Sequence, residues 1–206
     1  MKIYGCPKSR SMRAVWAAEE VGAEYEFVIV DLGQGEGRQP QYLKINPGGK
    51  VPALEDDGII ITESAAICTY LGERFPVSSL VPEIGSSERA AYFQWCCFVI
   101  GELEQPLWTL AKHSFVLPQV HRVPEIRATA KWEFARAADV LAAGLGERDY
   151  ILGAKFSAAD ILIAHTLNWS KSAKLSLEHV NLERYLERTL SRPAVERARE
   201  REAATG

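Results

Sequence analysis

The segment Asn46-Pro47-Gly48-Gly49-Lys50-Val51-Pro52-Ala53-Leu54 constrains this chain more than any other. Pro47, Gly48 and Gly49 mark a turn. The strand after it opens on Pro52, a residue with no N–H for a ladder but tolerated at a strand start. Asp56-Asp57-Gly58 is a hairpin signal, so a second short strand follows. Thr62-Glu63-Ser64-Ala65-Ala66-Ile67 then starts a helix on an acid and a hydroxyl. Backbone N–H and C=O groups, a helix N-terminus and a carboxylate are presented together, which suits a small peptide-like ligand.

The chain has 206 residues, 47% hydrophobic and 25% charged, which allows one large domain or two small ones. A net charge of −3 gives no electrostatic reason to expect nucleic acid or an anionic membrane as partner. No apolar run approaches the roughly 18 residues of a membrane helix. Met1-Lys2-Ile3-Tyr4-Gly5-Cys6 reads as a strand rather than a leader. Cys6, Cys68, Cys96 and Cys97 make a poor disulfide framework at this length, and the adjacent pair would point apart on a helix. A reducing, cytoplasmic setting is therefore expected. His113, His121, His165 and His179 show no metal-ligand spacing, so no metal is expected.

Residues 2–5 read as a strand. Met12, Val15, Trp16, Ala18 and Val21 form a helical stripe over 11–21 that Gly22 ends. Residues 25–32 read as a strand parallel to the first, because a helix connects them. A loop at 33–37, a short helix at 39–45, strands at 51–55 and 59–62 and a helix at 63–74 complete the order βαβαββα, the thioredoxin-like arrangement. A linker occupies 76–85. A long aromatic-rich helix over 87–113 follows, with a bend expected near Pro106. Helices over 124–145, 158–169, 182–189 and 193–203 come after it, with a short apolar segment at 150–153. The expected architecture is an α/β thioredoxin-like domain over 1–76 and an all-α helical-bundle domain over 86–206.

The chemistry is expected at the turn Cys6-Pro7-Lys8-Ser9-Arg10-Ser11-Met12-Arg13, where the first strand meets the first helix. The helix dipole and three basic residues favour a thiolate there. Lowering a thiol pKa by about two units takes roughly 2.7 kcal/mol. A hydroxyl hydrogen bond to a charged acceptor supplies about 1.5–3 kcal/mol of that. Ser9 and Ser11 can donate to a bound sulfur, and Cys6 can itself be the nucleophile. Each also has a plain structural role: a serine before a helix is an N-cap, and a cysteine at a strand end is a small buried apolar residue.

In order and spacing, several pieces resemble the glutathione transferase family: Tyr4-Gly5-x-Pro7-x-Ser9-Arg10-Ser11-x-Arg13-x-x-Trp16, Lys50-Val51-Pro52, Glu63-Ser64, Arg74-Phe75-Pro76 and Phe156-Ser157-Ala158-Ala159-Asp160-Ile161. The first is similar to a bacterial and fungal branch whose members often carry phenylalanine where this chain has Cys6, which favours a serine. Cys6-Pro7-x-Ser9 is also similar to the C-P-x-S redox motif of glutaredoxins and omega-type transferases, so Cys6 stays a candidate. The resemblance implies that Ser64 and Glu63 hold the γ-glutamyl end of glutathione and that a cis bond before Pro52 turns Val51 toward its cysteinyl backbone. Lys50 would face the glycyl carboxylate, and Gln39 and Arg38 are weaker candidates. The 156–161 piece has capping-box spacing and is a folding element, so Asp160 is not expected to be catalytic.

The resemblance further implies a second, hydrophobic substrate in a cleft between domains, with Leu107, Trp108, His113 and Phe115 as candidate lining. The function it implies is transfer of glutathione to an electrophile, as in detoxification, with glutathione as cosubstrate and a homodimer as the assembly. Two rivals stand beside it: a glutathione-dependent thiol–disulfide oxidoreductase or peroxidase using Cys6, and a non-catalytic regulator on the same fold.

Overall fold

A computed structural model describes residues 1–204. The chain divides into two compact units: Met1–Pro82 together with the chain from Leu190 onward, and Glu83–Thr189.

The first unit runs β1 (Lys2–Gly5), α1 (Ser11–Val21), β2 (Glu26–Ile29), α2 (Pro40–Leu43), β3 (Ala53–Asp56), β4 (Ile59–Thr62) and α3 (Ser64–Arg74). The sheet order is β2-β1-β3-β4; β1 and β2 are parallel, and the other neighbours are antiparallel. This is the thioredoxin-like arrangement. Alternation along the strands sorts the side chains onto two faces. Ile3 pairs with Phe27 and Leu54 and is buried with Val15, Trp16, Ile67 and Leu71 of the helices. Tyr4 pairs with Val28 and Ala53 and belongs to the opposite cluster, with Val30, Tyr42 and Val51. Fully burying one large apolar side chain is worth about 1.5–3 kcal/mol, more than helix propensity contributes per residue, so packing rather than propensity holds α1 and α3.

Local signals set the ends. Gly22 terminates α1 in the left-handed region, φ 67, and the Ala23 N–H closes back on Ala18 O at 3.0 Å. β2 is shorter than the expected 25–32. Beyond Val30 the backbone is claimed by a turn: the Asp31 N–H donates to Glu36 Oε2 at 2.6 Å and the Gln34 N–H to Asp31 Oδ1 at 3.0 Å. β3 begins at Ala53 rather than at Val51, because Pro52 cannot donate to a ladder.

The second unit contains α4 (Ser87–Phe98), α5 (Glu104–Ala111), α6 (Ile126–Leu145), α7 (Ala158–Ser172) and α8 (Val180–Leu190). The long helix expected over 87–113 is interrupted, not simply bent at Pro106. Wide π-helical turns at Val99–Leu103 and Lys112–Val116 flank α5. Pro106 lacks the N–H that would bond Glu102 O, and the π turn just before α5 accommodates that missing bond. Asp160 accepts from Ile151 N–H, Ser157 N–H, Ser157 Oγ–H and Tyr185 OH, each at 2.8 Å. It is the buried hub of a folding element, as the 156–161 motif implies. The last helix, α9 (Pro193–Ala203), packs on α1 in the first unit. The expected all-α domain over 86–206 includes this helix, whereas its contacts group it with the first unit.

Candidate functional site

The turn between β1 and α1 is closed by its own hydroxyls. Ser9 Oγ donates to Cys6 O at 2.6 Å and accepts the Ser11 N–H at 3.1 Å. Ser11 Oγ accepts the Cys6 N–H at 3.1 Å and lies 2.9 Å from Ser9 Oγ. With the Ser9 hydrogen on Cys6 O, the Ser11 hydrogen falls on Ser9 Oγ, so both hydroxyl hydrogens are spent inside the turn. Ser11 is also 0% exposed, whereas Ser9 is half-buried. Gly5 permits this closeness: a β-carbon there would lie 2.8 Å from Ser11 Cβ and 2.5 Å from the Phe27 ring. Cys6 is half-buried against the cluster of Tyr4, Val30, Tyr42, Val51 and Ala53. The thiol therefore shares a face of the sheet with Val51. Tyr4, in the same motif, is committed elsewhere: its hydroxyl donates to Glu55 Oε2 at 2.7 Å, and burial with that carboxylate pushes its pKa up to about 12.

The Val51–Pro52 peptide bond is cis. The residue before it is held from two sides, since Lys50 O accepts Tyr42 OH at 2.6 Å and Asn46 Nδ2 at 2.7 Å. Asn46 Oδ1 meanwhile takes the Gly48 N–H at 2.9 Å. Gly49 has φ 62, and a β-carbon on it would meet Gly37 O at 2.6 Å, so only glycine fits where the two loops touch. Lys50 and Gln39 are exposed.

At the start of α3, Glu63 sits at φ 70, ψ 117, a region costly for a residue with a β-carbon. Its carbonyl begins the helix by accepting the Ile67 N–H at 3.0 Å, and no side chain caps the helix. The first N–H groups of α3 are left to an external acceptor, with the dipole favouring an anion. Ser64 is 6% exposed, and its Oγ accepts Arg13 Nη1 at 3.2 Å. Its own hydroxyl hydrogen has no acceptor among the described residues. Arg13 is 0% exposed, so a full positive charge is buried beside this helix end. All of these groups lie in the first unit.

The candidates for an apolar lining lie in the second unit. Leu107 is buried in α5, and Trp108 is half-buried. His113 is half-buried, and its Nδ1 accepts the Val123 N–H at 3.0 Å, tying the π turn to the loop after it. Phe115 is 71% exposed, and its carbonyl accepts Arg122 Nη2 at 3.1 Å. Among the described residues, no group of three or more His, Cys, Asp or Glu side chains is placed to hold a metal ion. No helix of the described residues is long and apolar enough to cross a membrane.

Three supports escaped the sequence reading as such. In the sequence Arg13 reads as one of three basic residues near a thiol; its flanking by buried Ala14 and Val15 is the available signal for its burial. Tyr42 carries no signal and Asn46 reads only as the start of a turn, because both act on a carbonyl that only the fold brings to them.

Comparison with known proteins agrees with this fold. Residues 1–73 match the family described as glutathione S-transferase, N-terminal domain, and residues 124–188 match glutathione S-transferase, C-terminal domain. The chain is 34% identical over 166 residues to glutathione S-transferase F10 of Arabidopsis thaliana, covering 78% of this chain and 76% of that one. It is 29% identical over 204 residues to the disulfide-bond oxidoreductase YfcG of Escherichia coli K12, covering 95% and 93%. Among solved structures, BphK, a bacterial transferase in a ternary complex, superposes with a TM-score of 0.88 at 31% identity, over 98% of this chain and all of that one. A sphingomonad glutathione S-transferase complexed with glutathione gives 0.87 at 31% identity, over 98% and 99%.

Proposed function

Because the chain belongs to the glutathione S-transferase family, we propose that it binds glutathione along Lys50, Val51 and Pro52 and adds the tripeptide's thiolate to a hydrophobic electrophile. The observation that carries this is Ser64. Its oxygen is already satisfied by a buried arginine, so its hydroxyl hydrogen and the uncapped N–H groups of α3 converge on one anion. The γ-glutamyl carboxylate fits that position, with exposed Glu63 facing the ammonium. Lys50 and Gln39 serve the glycyl end. The reaction balances simply: the sulfur lone pair forms the S–C bond as the electrophile takes up a proton or sheds an anion. Trp108, His113, Leu107 and Phe115 are the proposed apolar lining. Four free cysteines, two of them buried, fit a reducing cytoplasm. Exposed Phe93 and Trp132 on the helical unit fit a homodimer.

One observation favours a second use of the same site. Ser9 spends its hydroxyl hydrogen on Cys6 O and Ser11 spends its own on Ser9 Oγ, while the Cys6 thiol faces the Val51 cluster. In that reading the Cys6 thiolate displaces RS⁻ from a glutathione mixed disulfide, and a second glutathione thiolate then releases oxidised glutathione.

Assays of Cys6→Ser and Ser9→Ala separate the two. A serine-supported transferase keeps its conjugation rate in Cys6→Ser and loses about tenfold in Ser9→Ala, the weight of one hydrogen bond to charged sulfur. A thiol–disulfide enzyme loses all turnover in Cys6→Ser and only part of it in Ser9→Ala, whose hydroxyl closes the turn that carries Cys6. Loss of neither activity in either variant contradicts both readings.

A further inference from the structure

Glu202, on α9, reaches across 194 residues of sequence to the turn that carries Cys6, Ser9 and Ser11: its Oε2 accepts the Lys8 N–H at 3.3 Å. The side chain is 8% exposed, and Oε1 is buried with no hydrogen-bond partner among the described residues. Half-satisfied burial of a carboxylate costs stability, and it pushes this carboxyl above the usual range. The residue it holds is unusual too. Lys8 has φ 61, left-handed for a residue with a β-carbon, and such a conformation persists only where its surroundings impose it.

The helix that carries Glu202 is itself clamped. Arg192 forks onto Glu20 at 2.6 and 2.7 Å, Arg197 donates to Glu19 at 3.1 Å, and Arg201 lies 5.2 Å over the Tyr25 ring. Three ties to α1 and the segment after it fix where the Glu202 carboxylate can be.

We infer that Glu202 is a positioning residue for the thiol chemistry of the 6–11 turn. Its carboxylate fixes the Lys8 amide and thereby the direction in which Cys6 and Ser9 present their side chains. A buried, costly acceptor aimed at the turn, on a helix pinned by arginines, is what such a role requires. The kinetic part of this inference rests on the glutathione reading; the geometric part does not.

The test compares Glu202→Gln with Glu202→Met in the full chain. Both keep the side-chain length, and only glutamine keeps an oxygen acceptor, the methionine sulfur being a weak one. By amide hydrogen exchange, Lys8 should be protected in the parent and in the glutamine variant, and should exchange about tenfold faster or more in the methionine variant, while α1 amides keep their protection. With glutathione and an electrophile, Glu202→Met should lose about tenfold in kcat with the KM for glutathione nearly unchanged, and Glu202→Gln should restore kcat. Equal Lys8 exchange in all three proteins overturns the inference. So does a methionine variant with parental kcat, or a glutamine variant as impaired as methionine. If the parent binds no glutathione, the functional reading has failed separately. The rate of Cys6 alkylation by iodoacetamide, read by peptide mapping, then decides: a change of about threefold or more in Glu202→Met alone supports the brace, and no change removes it.

Discussion

Arg13 Nη1 donates to Ser64 Oγ at 3.2 Å, so an arginine in the first turn of α1 orients the first residue of α3. The contact joins the two helix ends that frame the site, and it places a buried charge where an anion would dock. Arg13→Met keeps the volume and removes the donor. Glutathione affinity should fall about tenfold or more, the scale of a hydrogen bond to a charged group. Arg13→Lys should not restore it, because a point charge does not reproduce the planar fork. Isothermal titration beside a melting curve checks this; unchanged affinity in Arg13→Met would remove Arg13 from the site.

Tyr42 and Asn46 both donate to Lys50 O, at 2.6 and 2.7 Å, and so hold the residue just before Val51. Tyr42→Phe should raise the KM for glutathione by roughly three- to tenfold with little change in kcat, the signature of lost binding rather than lost chemistry. Asn46→Ala should do more, because it also frees the Gly48 N–H. Steady-state kinetics with glutathione varied checks both, and a fall in kcat at constant KM would count against the assignment.

The Tyr4 hydroxyl is donated to Glu55. Tyr4→Phe should therefore leave kcat within about twofold and cost about 1 kcal/mol of stability, the net value of one hydrogen bond. The pH dependence has a definite sign. Burial raises the folded-state pKa from 10.0 to about 12, so the protonated phenol is favoured by folding. Its contribution is complete below pH 10 and is lost as pH rises from 10 through about 12. Denaturant unfolding of the parent against Tyr4→Phe over that range should show the difference closing as pH rises. A widening difference would contradict it.

Much of the first unit was legible because its signals are local. Gly22 ends α1 and Asp56-Asp57-Gly58 turns the hairpin where they were read, since a positive φ and a tight turn each name their own residues. The Ser157–Asp160 motif likewise announced its own fold element. What escaped the reading depends on atoms far apart in sequence. The π turn before α5 accommodates the N–H that Pro106 lacks, and neither it nor the π turn after α5 is encoded in a 3.6-residue pattern. The return of α9 to α1 rests on arginine–glutamate pairs more than 170 residues apart in sequence. The start of α3 at Glu63-Ser64 could be read from the sequence, whereas the inward turn of Arg13 is signalled only by its apolar neighbours Ala14 and Val15, because an arginine on a helix otherwise reads as solvent-facing.

Titration of glutathione into the parent protein and into Ser64→Ala tests the central claim most directly. The account predicts binding heat for the parent and an affinity about tenfold weaker for the alanine variant, with an unchanged fold. No heat and no thermal protection at millimolar glutathione, or equal affinity in the two proteins, would contradict it.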